Sequence, residues 1–337
     1  MDKSELNLKL KEAEDAEETE NFFAAAFFYR NTLESAIKLQ NSKLIKLCKG
    51  KIVEMNKRSI ASGKDFNEVE SRHTLSEENQ EALKKIINSI LGLNDIKLVL
   101  NIIGEHPYFF PKVTEVESQA KKTIPVTYQI ATLSTISDQG HNIRGGSDGS
   151  YSWFMKMYKL NQELIMDMYL DKIFYMLINN KTKKSKLGLK ELENYLSSSG
   201  IIEPNQLKII SVGLQRYFEK DYVSALHILV PQFEGVFLGL AQKCGIDIIT
   251  LDQKMDIATR TKTLSEYHLD SEEFKNVFGE DFCKQIKFIL FEPLGYKLRH
   301  KIAHGEIKPE ECNFRNTNLT IYLYLVLLSR SHTINNE

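Results

Sequence analysis

The chain has 337 residues, 42% of them apolar and 26% charged, and its 44 Lys+Arg against 45 Asp+Glu give a formal net charge of -1. That length holds two domains or one large one with a substantial core. Near-neutrality excludes a protein that coats nucleic acid through bulk charge, but not an enzyme that meets RNA at one basic pocket.

The periodicity is helical nearly everywhere. Residues 4–20 are charged and helix-favouring, with Leu6, Leu8 and Leu10 among few apolar anchors. From Asn21 to about Leu47, Phe22, Phe23, Ala26, Phe27, Leu33, Ile37 and Leu44 recur at threes and fours, which predicts an amphipathic helix. Ser76 before Glu77 and Glu78 reads as an N-cap with acids in the first turn, and Leu83, Ile86, Ile87, Ile90 and Leu91 form the stripe behind it. Asn94 reads as the next cap. Strand signals are thin: residues 123–128 are β-branched but short, and they contain Pro125.

Residues 134–150 are small and polar, with Gly140, Gly145, Gly146 and Gly149, and form the expected boundary, either linker or functional loop. The resulting division is an N-terminal helical domain (1–133), this loop (134–150) and a C-terminal helical domain (151–337). A long aromatic helix is expected from Trp153 to about Ile178, followed by a basic turn with Lys181, Lys183, Lys184 and Lys186. Further helices are expected from Pro204 to near Asp221, Tyr222 to Lys243 (closed by Gly245), and Ser271 to Leu290. Asn318 reads as the cap of a terminal helix. Its apolar run, Leu319 to Leu328, is too short to span a bilayer and predicts a buried helix. The fold class is all-α.

Cys48, Cys244, Cys283 and Cys312 are scattered, with no C-x-x-C pair. This speaks against a zinc knuckle or thioredoxin-type site and fits reduced thiols. Residues 1–5 lack the basic start and apolar core of a signal peptide. A cytoplasmic protein is expected, without a membrane partner. No Ser-His-Asp order, Walker loop or dinucleotide glycine fingerprint is present.

The most informative segment is Leu298-Arg299-His300-Lys301-Ile302-Ala303-His304-Gly305. Arginine is a permanent planar cation that grips phosphate oxygens in pairs, and histidine moves protons near neutral pH. In an ideal helix, Arg299 and His304 sit about 140° and about 7.5 Å apart. They converge if the last turn loosens, which Gly305 favours, or if a phosphate lies between them. Lys297 and Lys301 flank them as candidate RNA contacts. His300 and His304, four apart, have zinc spacing, yet Lys301 stands where a zincin has its glutamate, so no metal is expected. The plain alternative is a basic helix end that caps carbonyls or meets solvent. Upstream, Glu234 falls in an apolar stripe with Val230 and Leu238, with His227 on the same side, so it needs a cationic partner. Arg299 is the expected one, whether as a structural ion pair or to aim the guanidinium at substrate. Pro231 is a candidate kink.

Arg299-His300-x-x-x-His304 fits the R-x(4-6)-H signature of HEPN domains. Residues 293–305 resemble an uncharacterised HEPN branch marked by RNxxxHG, as do 217–227 and 230–235 upstream. The resemblance covers residues 205–310 well and the region from 130 more loosely. Where the branch has asparagine, this chain has His300. The resemblance implies a HEPN-like helical bundle and a metal-independent endoribonuclease without cofactor. In it the RNA 2′-hydroxyl attacks the adjacent phosphate and leaves a 2′,3′-cyclic phosphate. It matches Arg299 and His304 to the catalytic pair, His300 to a polar support position, and Glu234 to an acid in the helix behind the motif. It also implies a homodimer, since one histidine cannot be base and acid at once, and a toxin or antiviral setting with an antitoxin or regulatory protein. DNA is not expected as a partner. The alternative it leaves open is a catalytically silent HEPN module for dimerisation or partner binding. A third reading makes the N-terminal helices a sensor that restrains the C-terminal domain.

Overall fold

The computed structural model describes residues 3–64, 77–130, 133–137, 139–146, 149–181, 185–251 and 258–334. In chain order the elements are α1 (Lys3–Glu18), α2 (Phe22–Lys38), α3 (Ser42–Ser62), α4 (Glu77–Leu91), α5 (Ile96–Glu105), α6 (Val113–Thr123) and α7 (Val126–Ile130). Then come β1 (Leu133–Ile136), β2 (Asn142–Gly146), α8 (Gly149–Ile165), a π-helical turn (Met166–Leu170), α9 (Asp171–Ile178), α10 (Leu189–Ser197), α11 (Pro204–Phe218) and α12 (Tyr222–Lys243). The remainder is β3 (Ile249–Leu251), β4 (Thr259–Thr261), α13 (Glu266–Asp270), α14 (Glu272–Phe278), α15 (Glu280–Leu290), α16 (Leu298–Ala303) and α17 (Phe314–Ile334). The class is all-α, and the strands among the described residues form two small antiparallel hairpins, β1–β2 and β3–β4.

The chain divides differently from its composition. One compact unit comprises residues 1–74 and 125–149, the other 75–124 and 150–337. The expected break at 133/134 is therefore displaced, because α4, α5 and α6 carry core stripes that belong with the later helices. Ile87, Val99, Ile103 and Val116 lie in one apolar core with Leu170, Phe233 and Leu325. Within the glycine-rich stretch, residues 133–136 and 142–146 pair as a hairpin that belongs to the first unit.

In the first unit, α1, α2 and α3 pack consecutively around Ala13, Ala25, Ala26, Tyr29, Cys48, Ile52 and Met55. The amphipathic stretch from Asn21 to Leu47 is two helices, not one. Gln40 takes a left-handed conformation (φ 52°), and the Asn41 side chain accepts the Leu44 N–H at 3.2 Å. The same turn joins α1 to α2 through Glu20 (φ 55°) and Asn21, which accepts from Ala24. Asparagine succeeds here because its short side chain satisfies a first-turn N–H left over by the helix. Asn56 donates to the Gly140 carbonyl at 2.8 Å, and a Cβ on Gly140 would lie 2.4 Å from the Val53 carbonyl oxygen. Only glycine allows the hairpin to approach α3 so closely.

In the second unit, α11 and α12 form a hairpin closed by the same device, with Lys220 at φ 65° and Asp221 accepting from Ser224. α12 packs on α17, where the Tyr324 hydroxyl donates to the Leu229 carbonyl at 2.8 Å. Among the described residues, α12 is the one helix long and apolar enough to cross a membrane. Its Leu226, Leu229, Val230, Phe233 and Phe237 are buried in the core. Leu319 to Leu328 are buried as expected. Their helix starts earlier than expected, at Phe314. Asn318 is internal, accepting from Tyr217 and donating to Asp171, while Asn313 serves the first turn through the Asn316 N–H. Asp95 rather than Asn94 caps α5, with its carboxylate accepting from Lys97 and Leu98. The Ser271–Leu290 stretch breaks at Gly279 (φ 81°) into α14 and α15. Residues 123–128 are not a strand but the junction of α6 and α7. The expected cap at Ser76, and Lys183 and Lys184, lie outside the described residues.

Three histidines of this unit, His106, His268 and His300, titrate below the ordinary imidazole value, chiefly because burial withholds water from the charged form. His268 is further committed as an acceptor: its Nδ1 takes the Ser265 backbone N–H at 3.2 Å at the start of α13. The unfolded chain thus binds these protons more readily than the folded one. Their stabilising contribution is complete above about pH 6.5 and is lost as pH falls through the lower folded-state values. The urea midpoint is expected to drop between pH 7.5 and 5.5, and His268→Gln should blunt that drop.

Candidate functional site

The segment around residues 298–305 is held by a tight reversal after α15. The buried Glu292 accepts the Tyr151 hydroxyl at 2.7 Å, the Gly295 N–H donates to the Glu292 carbonyl, and the Tyr296 N–H donates to the Phe288 carbonyl. A Cβ at Gly295 would sit 2.1 Å from the Phe288 carbonyl oxygen, so the chain can fold back here only with glycine. Lys297, left-handed at φ 55°, then leads into α16, which is anchored by the fully buried Leu298.

The far end of α16 unwinds where the sequence predicts. The helix stops at Ala303; His304 adopts φ -104° and ψ 3°, with its N–H still donating to the His300 carbonyl at 3.0 Å. Gly305 follows at φ 65°, and the Glu306 N–H donates to the Lys301 carbonyl at 2.7 Å. This left-handed glycine closure satisfies carbonyls that would otherwise end the helix unpaired.

Arg299 and Glu234 meet. Arg299 Nε donates to Glu234 Oε2 at 3.0 Å, with side-chain exposures of 26% and 15%, and Glu234 Oε1 accepts the Leu264 N–H at 2.9 Å. The Phe291 ring centre lies 5.9 Å from the guanidinium carbon. The pairing uses Nε alone, so among the described residues neither Nη of Arg299 donates to a protein acceptor. His227 does not join them: it is exposed on α12, and its ring nitrogen bonds the Val223 carbonyl one turn back. α12 continues through Pro231.

The two histidines lie in ring contact, with centroids 4.3 Å apart and planes at 43°. His304 is exposed and His300 half-buried. Burial, then the neighbouring Lys297 and His304, hold the His300 pKa below its ordinary value, which favours its neutral form. Lys297 and Lys301 are not loose cations. Lys297 pairs with Glu306 at 3.4 Å and Lys301 pairs with Glu311, while Glu306 also stands 3.9 Å from His300 Nε2. Sequence reasoning missed both acids, although Glu306, Glu310 and Glu311 follow directly on the glycine stop. Among the described residues, no group of three or more His, Cys, Asp or Glu is arranged to hold a metal ion.

No protein-family model matches this chain, nor does any curated protein or solved structure. The chemistry of the site therefore rests on its geometry. A partly exposed guanidinium edge binds an oxyanion through two parallel N–H bonds. Imidazoles stand nearby, His300 on α16 and His304 at its C-cap, and imidazole is a group able to move protons near neutral pH. Glu234→Ala would leave Arg299 half-buried without its acceptor and the Leu264 N–H unpaired, an expected cost of about 2 kcal/mol. Glu234→Gln, which keeps an acceptor oxygen for one donor and turns its NH2 toward the other, should recover only part of that loss. Urea unfolding of the two variants measures the difference.

Proposed function

We propose that this chain is a metal-independent endoribonuclease of the HEPN type. The observation that carries the reading is Arg299, clamped at Nε by Glu234 with its Nη edge uncommitted, on the same six-residue helix turn that ends at the exposed His304. In this reading the Nη edge binds the non-bridging oxygens of one RNA phosphate and stabilises the charge that builds as the 2′-hydroxyl attacks. His304 transfers a proton, and the products are a 2′,3′-cyclic phosphate and a 5′-hydroxyl. Glu234 keeps the guanidinium from rotating away, which spares the site reorganisation during the reaction. The resemblance of residues 293–305 to the HEPN branch supports the same reaction and brings with it a homodimer and a toxin or antiviral-defence setting.

The test is RNA incubated with the purified chain in excess EDTA. Cleavage with cyclic-phosphate ends is expected, with a loss of about 100-fold or more in Arg299→Ala and in His304→Ala. Intact RNA with the wild-type chain under all conditions would sink the proposal and leave a silent scaffold module. Light scattering is expected to give a mass near twice the 38.8 kDa of one chain.

A further inference from the structure

We infer that His300 is a second proton-transfer residue of this site, the base that accepts the 2′-hydroxyl proton, while His304 protonates the departing 5′ oxygen. The inference rests on the RNA-cleavage reading above and assigns both proton transfers to side chains of one subunit.

Three observations carry it. The two imidazoles touch, with centroids 4.3 Å apart, and their planes meet at 43°, so their ring nitrogens lie in different planes. Neither ring makes a hydrogen bond among the described residues; Glu306 stands 3.9 Å from His300 Nε2. The His300 side chain is hydrogen-bonded to neither Arg299 nor His304, the bond between the two histidines being the backbone one from the His304 N–H to the His300 carbonyl. Finally, the His300 side chain is 40% exposed, so substrate can reach it.

The charges around His300 fit the base role. Lys297, His304 and Arg299 disfavour a cation there, burial disfavours it most, and Glu306 alone opposes them. The neighbouring imidazole adds to this, since two rings in contact resist carrying two charges. His304, the more exposed ring, is left as the acid. The step then balances within the site. His300 takes the proton of the 2′ O–H, the 2′ oxygen bonds to phosphorus, the bond from phosphorus to the 5′ oxygen breaks, and His304 gives that oxygen its proton. Arg299 holds the non-bridging oxygens throughout.

The experiment uses the full chain on a DNA oligonucleotide containing a single ribonucleotide, and on the same oligonucleotide with sulfur replacing the bridging 5′ oxygen. Sulfur departs without needing a proton. His300→Asn installs the residue expected of a polar support position and should cut the oxygen linkage about 100-fold or more slowly. It should gain no recovery on the sulfur linkage and should lose the acidic limb of the pH–rate profile. His304→Ala should be similarly slow on oxygen and recover on sulfur. Near-wild-type thermal midpoints are expected for both variants, since neither ring is hydrogen-bonded among the described residues. His300→Asn cutting the oxygen linkage at close to the wild-type rate would overturn the inference while leaving the ribonuclease reading intact. Recovery of His300→Asn on sulfur would likewise overturn its assignment as the base. A wild-type chain that cuts neither substrate overturns the ribonuclease reading itself.

Discussion

A carboxylate set among the apolar residues of a core helix has to be answered, and Glu234 of α12 is answered twice, by the Arg299 guanidinium and by the Leu264 backbone N–H. That double contact ties three separate stretches together: the core hairpin of α11 and α12, the segment leading into α13, and the short helix α16. Everything proposed for the site follows from how the arginine is gripped. Because Glu234 takes Nε, the two Nη groups remain on the outer edge. The same contact explains how a six-residue helix, too short to be stable alone, keeps its place.

A second theme is charge neutralisation. The segment from Lys297 to His304 is strongly basic in sequence, yet three of its cations are matched one for one: Lys297 with Glu306, Arg299 with Glu234, Lys301 with Glu311. These pairs are partly exposed, so each contributes little to stability on its own. Their larger effect is on the field at the site, which is far less positive than the sequence implies. A polyanion is thus met by a shaped guanidinium edge and two imidazoles rather than by an open basic patch. This agrees with the near-zero net charge of the whole chain.

Much of this was legible before any coordinates. The all-α class follows from apolar residues repeating at threes and fours, and the Glu234–Arg299 contact follows from the cost of leaving a carboxylate unpaired in an apolar stripe. The unwinding at His304 was written in Gly305. What was not legible depends on long-range contacts or on competition between neighbours. Asn94 and Asp95 are both good capping residues, and only the geometry selects Asp95. Asn318 looks like a cap but is drawn into a buried network with Tyr217 and Asp171. The loss of Lys297 and Lys301 as free cations depends on acids nine and ten residues away, across a turn whose path no local rule fixes.

The interleaved connectivity also has a consequence for biosynthesis. The chain reaches residue 74, turns to elements of the other unit up to residue 124, and only then supplies residues 125–149 to finish the first. A nascent polypeptide emerging from the ribosome would therefore expose α4, α5 and α6 long before α9, α12 and α17 arrive to cover their apolar stripes. Gly104 makes the delay acute, for its close seat against the Leu325 carbonyl exists only once the chain has been translated as far as α17. Closure of this unit thus waits for α17, and a cell making it must shield three sticky helices until that segment has been synthesised.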